Sequence, residues 1–182
     1  MKENQRLRLT KQLLRESLIA LLNEKSIHKI SVREICEKAQ INRTTFYKYY
    51  GSPYDLLIDI EDTVLAQVET YLGGKENQIM DDLRQLTQIL SFMNDNLAVC
   101  RLLINNTVDS RFAERLLILP KIKQLLGNHL TGGYHNDEVD YVYQFVVNGG
   151  LYMIKSWINK DDREDPGKVA ALLLDTIGKL HE

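Results

Sequence analysis

The sequence predicts an all-α fold, with short helices at the N-terminus, one long connecting helix and a helical bundle after it. Apolar residues recur every three or four positions along most of the chain, which is the period of an amphipathic helix. Only 3 prolines and 10 glycines interrupt the 182 residues, so long helices are expected. The alternation of apolar and polar residues that marks a half-buried strand is not found in the sequence.

The first two helices are marked by an apolar stripe and by a capping motif. Residues Leu7–Asn23 carry leucines on one face and basic residues on the other, so they are predicted to form the first helix. Ser31 is followed three residues later by Glu34, the spacing of a capping box, in which each side chain satisfies a backbone N–H at the helix start. The second helix is therefore predicted over about Val32–Ala39.

A third and a fourth helix follow. Asn42 is a good N-cap for a third helix over about Arg43–Tyr49. Ser52 and Pro53 supply the N-cap and the first position of a long fourth helix, which runs to Leu72 before two glycines. Because each residue adds 1.5 Å, this helix is roughly 30 Å long, enough to connect a head to a body.

The remaining sequence predicts a helical body. We place the head at residues 1–53, the connecting helix at about 53–72 and the body at residues 75–182. Pro120 is expected to break or kink a helix. The predicted body helices cover Ile79–Met93, Leu97–Ile104, a segment from Asp109 or Ser110 through Leu126, Glu138–Asn159 and Pro166–Leu180.

Composition argues against several classes of protein. The longest apolar runs fall well short of the ~20 residues that a membrane-spanning helix needs, and the segment Met1–Arg6 lacks an apolar leader. Cys36 and Cys100 are the only cysteines and lie far apart, so neither a disulfide scaffold nor a cysteine-rich zinc site is expected. We therefore expect a cytoplasmic protein with no membrane partner.

The net charge of −2 conceals an uneven distribution. Residues 1–53 carry eleven Lys or Arg and five Glu, a net charge of +6, whereas the remainder carries twelve basic and twenty acidic residues, a net charge of −8. A basic head on an acidic body favours contact with a polyanion such as nucleic acid. A solvated basic surface without a partner is the alternative.

Two short capped helices joined by a tight turn form a helix-turn-helix pattern. Its apolar residues are expected to form a small core, and the alternative is an ordinary three-helix packing unit. The expected core residues are Val32, Ile35, Ala39, Ile41, Phe46 and Tyr50. Polar side chains suited to base edges and phosphates remain on the outer face of the third helix, namely Arg43, Thr44, Thr45, Tyr47 and Lys48.

The segment from Ile30 to Leu57 reads ISVREICEKAQINRTTFYKYYGSPYDLL. It resembles, without a gap, the DNA-binding signature of TetR-family regulators, which is roughly T-V-R-x-I-A-x-x-A-G-V-S-x-x-T-x-Y-x-Y/H-F-x-S-K-x-x-L. The order of elements agrees too, with one helix before the motif, a long helix after it and an all-helical body. The resemblance covers residues 8–72 by motif and the rest by layout.

The resemblance implies a homodimeric repressor that binds double-stranded DNA and is released from it by a small-molecule effector, with no cofactor or metal. Tyr50, at the usual Phe position, is expected in the core with its hydroxyl near the surface. Lys2, Arg6 and Arg8 form either a DNA-contacting arm or a disordered basic tail. The implied DNA contacts are Ser31, Arg43, Thr44, Thr45, Tyr47 and Lys48, together with Tyr49 unless it packs inward.

Three positions depart from the family pattern. Gln40 stands where the family usually has Gly, which predicts a strained or altered turn. Cys36 replaces a small Ala, and we interpret it as a buried apolar residue rather than a redox sensor. Pro53 replaces a Lys that binds phosphate in relatives, so Tyr54 or the bare helix N-terminus is expected to substitute.

The resemblance also implies that the body holds both an effector pocket and a dimer interface. The pocket is predicted among the helices of residues 77–130 and part of the penultimate helix, with Phe92, Cys100, Phe112, His129, Tyr141, Phe145 and Tyr152 as lining. The last two helices are predicted to form the interface, with Gly149, Gly150, Met153, Trp157, Leu173 and Ile177 as contacts. For every one of these residues, plain intrachain core is the alternative, and a kink near the pocket is the rival explanation of the paired glycines.

Other functions have less support in the sequence. His135, Asp137 and Asp140 suggest a metal only weakly, and a loop or helix cap is the better interpretation. Neither a glycine-rich phosphate loop after a strand nor a nucleophile motif is present, so no enzyme is expected. The alternatives that remain are an activator, a helical interaction protein, or an effector-independent DNA-binding protein that kept the fold.

Overall fold

All regular structure in the described part of the chain is helical, as the sequence predicts. The computed structural model describes residues 2–72, 78–105, 111–127 and 136–179, apart from the side chains of residues 2–4, 78–81, 111, 127 and 136–139. The α-helices of these residues are α1 (Lys2–Leu22), α2 (Val32–Ala39), α3 (Arg43–Tyr47), α4 (Pro53–Tyr71), α5 (Gln78–Asp95), α6 (Leu97–Ile104), α7 (Arg111–Leu117), α8 (Pro120–Gly127), α9 (Asn136–Ile158) and α10 (Pro166–Gly178).

Helix starts in the head lie where capping residues predict them. Ser31 caps α2, and Ser52 caps α4 by accepting a hydrogen bond from the backbone N–H of Asp55. Helix ends and short helices were harder to predict. α3 ends at Tyr47, two residues earlier than expected, and a single 3₁₀ turn at Ile27–Lys29 lies between α1 and α2.

The first helix is longer than its apolar stripe indicates. α1 begins at Lys2, so Arg6 and Arg8 lie within a helix and are exposed on it. The prediction of a disordered tail is therefore wrong for these two residues, and contact of this segment with DNA stays a prediction. Straight-chain residues such as Arg and Lys are good helix formers, so the helix can extend through them. Their charges continue the basic face of α1.

The body helices follow the predicted order. Pro120 separates α7 from α8, because proline lacks the N–H that would continue the first helix. Asp165 caps α10 through the backbone N–H groups of Gly167 and Lys168, with Pro166 at the first position. Asp109 and Ser110, the predicted starts of the segment before Pro120, lie outside the described residues.

One buried apolar cluster runs from α1 to α10. Head and body therefore share a core, and the division at residues 53 and 75 stays a prediction. Within the body, α5 packs along α10, while α6 contacts both α7 and α9. The largest fully buried apolar side chains are Phe46, Leu14, Leu18, Ile35, Leu56, Leu57, Leu90 and Ile158.

The end of α9 is fixed by hydrogen bonds from its neighbours. Arg101 of α6 donates to the carbonyls of Ile158 and Lys160, with N···O distances of 2.7 and 3.0 Å. The indole N–H of Trp157 donates to the carbonyl of Glu164 at 2.9 Å. These bonds satisfy carbonyls that a helix end leaves open, so they fix how α9 turns into α10.

Candidate nucleic-acid interface and effector cavity

The capping box at the start of α2 is fully formed. The Ser31 hydroxyl oxygen accepts from the Glu34 N–H at 3.3 Å, while Glu34 Oε2 accepts from the Ser31 N–H at 3.0 Å and from its hydroxyl at 2.8 Å. Glu34 also pairs with Lys25. The Lys25 hydrogen bond, followed by those from Ser31, lowers the pKa of the Glu34 carboxyl to about 2.

The turn between α2 and α3 requires a left-handed residue. Gln40 has φ 55° and ψ 39°, and its N–H still bonds to carbonyls of the last turn of α2. The position is the αL cap that glycine occupies most easily, which explains the family's Gly and confirms the expected strain. Asn42 then caps α3 by accepting from the Thr44 N–H at 2.8 Å.

α3 presents its predicted contact residues to solvent. Phe46 is its one buried residue, and its ring packs against the ring of Tyr50 at 5.7 Å. Arg43, Thr44 and Lys48 are exposed, Thr45 is half-buried, and Tyr47 is 58% exposed. A helix held by a single buried side chain and open along its polar face has the form of a recognition helix.

The remaining predicted contacts are less free. Tyr49 is 37% exposed and stays available. Tyr54 is half-buried and packs against the head core, so only part of it can reach a phosphate. The Ser31 hydroxyl already donates its proton to Glu34, so it can donate to a phosphate only by turning away from Glu34, since it has one donor. Cys36 is buried, as expected, and burial raises the pKa of its thiol.

Asp59 of α4 joins the long helix to the head, and sequence reasoning missed it. Arg15 of α1 donates to Asp59 Oδ2 at 2.7 Å, and the Tyr50 hydroxyl donates to the same oxygen at 2.8 Å. Lys11 lies 3.8 Å from Oδ1. Burial, followed by the bond to Asp59, raises the Tyr50 pKa. The missed signal was the carboxylate of Asp59 on α4, opposite the basic face of α1.

An apolar cavity of about 100 Å³ lies in the body, enclosed by residues of α4 through α10. Its lining consists of aliphatic and aromatic residues, two sulfur-bearing residues and one glycine. Cys100 and Phe112, both predicted as pocket lining, do line it. Phe92 instead packs its ring against Tyr71 at 5.9 Å. His129 lies outside the described residues.

Three residues assigned to the pocket lie elsewhere. Tyr141, Phe145 and Tyr152 do not line the cavity and are 80, 69 and 70% exposed, so their assignment to the pocket is wrong. The predicted interface residues Gly150, Leu173 and Ile177 line the cavity within the chain, and the interface itself stays a prediction. α9 has two apolar faces, and its contacts with α6, α8 and α10 decide which one points inward.

The exposed face of α9 carries three aromatic residues and a glycine, which we call the α9 stripe and define by Tyr141, Phe145, Gly149 and Tyr152. The spacings of four, four and three residues place them on one side of the helix. Gly149 is open, since a Cβ there would have no atom within 4 Å. Leu172 of α10 is also 54% exposed. Of the other predicted interface residues, Met153 is half-buried and Trp157 is buried within the chain.

An ion-pair cluster joins the cavity wall to the long helix. Arg115 lies on α7 between the cavity-lining residues Phe112 and Leu116. It donates to Glu61 Oε2 at 2.7 Å and also bonds the neighbouring Asp62. The Glu61 side chain is 3% exposed, whereas that of Asp62 is 56% exposed. α4 is therefore tied to the head through Asp59 and to the cavity wall through Glu61.

The described residues contain neither a candidate metal site nor a candidate membrane-spanning helix. Groups of three or more His, Cys, Asp or Glu side chains able to hold a metal ion are absent there. His135 and the side chain of Asp137 fall outside the described part. Across the same described residues, no helix combines the length and apolar character needed to cross a membrane.

A capped helix-turn-helix with an exposed polar recognition helix, joined to a helical body, defines the class of DNA-binding transcriptional regulators. Two family models match the chain: "Bacterial regulatory proteins, tetR family" over residues 14–60, and "Transcriptional regulator C-terminal region" of the TetR type over residues 82–179. The chain belongs to the TetR family of transcriptional regulators.

Individual relatives agree with this assignment. A TetR transcriptional regulator from Streptococcus agalactiae 2603V has 21% identity and a TM-score of 0.71, covering 97% of this chain and 98% of the other. The dihydroxyacetone kinase operon activator DhaS has 17% identity and a TM-score of 0.61, covering 94% and 96%. These two likenesses concern the fold.

One relative is similar over a short segment. The uncharacterized HTH-type transcriptional regulator YxbF of Bacillus subtilis strain 168 is 36% identical over 47 residues, which are 26% of this chain and 12% of YxbF. The aligned part thus spans about an eighth of that relative's length.

Proposed function

We propose that this protein is a homodimeric repressor that places two copies of α3 in successive major grooves of a pseudo-palindromic operator. The exposed polar face of α3 carries the proposal, with Arg43, Tyr47 and Lys48 open to solvent. Arg suits the acceptor pair of guanine, and Tyr and Lys suit phosphates. Recognition helices of such dimers lie about 34–36 Å apart on DNA. The protein would act in the cytoplasm, where bacterial operators lie.

Selection of binding sites from a random duplex library at fixed salt tests this function. The intact protein should enrich a site with two-fold symmetry. An Arg43→Ala/Tyr47→Ala variant should lose roughly 100-fold or more in affinity for that site, because a good base contact alone contributes about 1–3 kcal/mol. Lys123→Ala, a change at an exposed residue of α8, is the control and should bind normally. Enrichment that survives in the double variant would contradict the role of α3.

The α9 stripe supports a dimer formed through the last two helices. Tyr141, Phe145 and Tyr152 expose contiguous aromatic surface, and large exposed apolar patches mark interaction sites. Sedimentation of the full chain should give a dimer, and Phe145→Glu should give monomers, because a charge buried in such an interface has no partner. The control is Ile118→Glu, since Ile118 is 63% exposed outside α9 and α10. Dissociation by both variants equally would contradict the assignment.

The cavity is our proposed effector site, and α4 is its link to the head. A ligand that widens the cavity moves α7, and Arg115 of α7 passes the shift to Glu61 of α4. Asp59, on the same helix, holds Arg15 and Tyr50 of the head. The coupling free energy between ligand and DNA is typically 1–3 kcal/mol. Arg115→Met should reduce the ratio of DNA affinities measured without and with ligand, whereas unchanged coupling would contradict this route.

Repression is the direction we propose, and DhaS shows the other direction within this fold, since its name describes an operon activator. The two directions differ in where the operator lies relative to the promoter. A promoter-reporter assay with the selected site distinguishes them. Deletion of the regulator should raise expression from its own target promoter, and a fall in expression would establish an activator.

A further inference from the structure

The lining of the cavity limits the chemistry of what can fill it. None of the lining side chains carries a nitrogen or oxygen atom. The most polar group among them is the Cys100 thiol, and burial raises its pKa to about 12, so it stays neutral. An ionised group placed among these residues would lose its hydration and gain no hydrogen bond, which is strongly unfavourable.

A cation beside the cavity wall, Arg115, is already committed. Arg115 follows Phe112 by three residues on α7, but it is bonded to both Glu61 and Asp62. Two carboxylates with one guanidinium leave this cluster with a net negative charge, which disfavours an anionic ligand beside it. The apolar lining disfavours a cation inside the cavity for the reason already given.

The size of the cavity points in the same direction. Its volume of about 100 Å³ is below the roughly 300 Å³ at which pockets for drug-sized molecules begin. An apolar cavity of about 150 Å³ admits a ring as small as benzene. A bulky polycyclic ligand would therefore have to part several helices at once, whereas a slender chain enters with the smallest displacement of the walls.

We propose that this cavity binds an uncharged ligand through a slender aliphatic chain. The proposal rests on the effector site of the proposed function and adds the chemical class of its ligand. Methylene groups in the cavity contact only carbon and sulfur side chains, Cys100 and Met93 among them. A neutral polar group such as a hydroxyl costs far less free energy to desolvate in the cavity than an ionised group does.

Binding of straight-chain 1-alkanols, from butanol to decanol, to the full chain without DNA tests the proposal. Calorimetry should show an affinity that rises about fourfold per methylene until the cavity is full and then levels off. Decanoate and decyltrimethylammonium should bind at least tenfold more weakly than decanol. In a Cys36→Ala variant, where Cys100 is the only thiol, decanol should slow the modification of Cys100 by methyl methanethiosulfonate.

Two helical glycines provide a matched control for the site. Gly150 lines the cavity, and a Cβ there would lie 3.7 Å from Leu173 Cδ2, an ordinary contact. Gly178 of α10 does not line the cavity, and a Cβ there would have no atom within 4 Å. Both changes to Ala remove a helix-disfavouring glycine, so both variants should fold. Gly150→Ala should weaken decanol binding about fourfold, the effect of one methylene displaced, and Gly178→Ala should leave it unchanged.

The proposal is overturned if decanoate binds as tightly as decanol, if affinity is independent of chain length, or if the two glycine variants bind decanol equally. Operator binding is measured on the same samples. Alkanol binding that leaves DNA affinity unchanged would remove the effector role and keep the ligand class. Normal site-specific DNA binding with no alkanol binding would overturn the ligand class and keep the regulator.

Discussion

The head and the body of this regulator differ in the kind of surface that each leaves uncovered. In the head, Phe46 fills the core and the polar residues of α3 face water. The body keeps an apolar cavity inside and exposes the aromatic residues of the α9 stripe outside. The difference teaches that the head offers a partner polar side chains, whereas the body has apolar surface still to cover on both sides.

The largest expected effect compares one phenylalanine from each region. Phe46 is 0% exposed in the head core, so Phe46→Ala should lower the free energy of unfolding by about 3–5 kcal/mol. Phe112 borders the cavity and makes fewer contacts on that side, so Phe112→Ala should cost about 2 kcal/mol. Urea unfolding at one fixed protein concentration measures both, because a dimer's stability depends on concentration.

Equal losses in the two variants would contradict the comparison. They would mean that the cavity wall is packed as tightly as the head core. If 1-decanol reduced the loss in free energy of unfolding caused by Phe112→Ala, the comparison would be sharper. The ligand would then replace contacts that the Phe112 side chain had made.

Much of the head could be predicted from sequence because its structure is locally encoded. Ser31, Asn42 and Ser52 each cap the helix that begins at the next residue. Each side chain accepts a hydrogen bond from a backbone N–H two or three residues further along the chain. The strained turn at Gln40 also follows from one residue and its neighbours. What escaped prediction is the long-range contact from Arg15 to Asp59, which joins residues 44 positions apart.

The body was predicted in outline and misassigned in detail. Helix periodicity gave α9 and α10, but both faces of α9 are apolar, so periodicity alone could not say which face is inside. Aromatic size suggested that Tyr141 and Phe145 line a pocket, and small size suggested that Gly150 lies in an interface. The contacts of α9 with α6, α8 and α10 turn the other face inward. A Cβ added at Gly150 would lie 3.7 Å from a side chain of α10.

The next effect concerns the joint between the two regions. Arg115→Met should lower the free energy of unfolding by about 1–3 kcal/mol, since Glu61 would stay buried without this cation. The two carboxylates allow a matched comparison. Glu61→Gln should cost more than Asp62→Asn, which is 56% exposed and should cost under about 1 kcal/mol. A larger loss from Asp62→Asn would show that the buried contact is not the one that joins α4 to α7.

A smaller effect of opposite sign is expected at the turn of the head. Gln40→Gly should raise the free energy of unfolding by about 0.5–1 kcal/mol. A left-handed φ costs an L-residue about 1–2 kcal/mol, which glycine avoids. Glycine's greater conformational freedom in the unfolded chain offsets part of this gain. Gln40→Ala is the control and should gain nothing, as it keeps the Cβ. A gain in the alanine variant, or none in the glycine variant, would show that the φ of 55° stores no strain.

The smallest effect compares two carboxylates paired with lysine, one in each region. The Lys25 and Ser31 hydrogen bonds lower the Glu34 pKa to about 2 in the head, and the bond from Lys160 lowers the Glu164 pKa in the body. A lowered folded-state pKa stabilises the protein above the unfolded value near 4.5, and this contribution is lost as pH falls towards the folded value. Thermal unfolding measured between pH 6 and pH 2.5 should therefore depend less on pH in Glu34→Gln than in the unchanged protein. Glu164→Gln should reduce the pH dependence by a smaller amount, because Glu34 also accepts the capping-box bonds. If the Glu164 variant changed the profile more, the capping box would not be what sets the acid stability of the head.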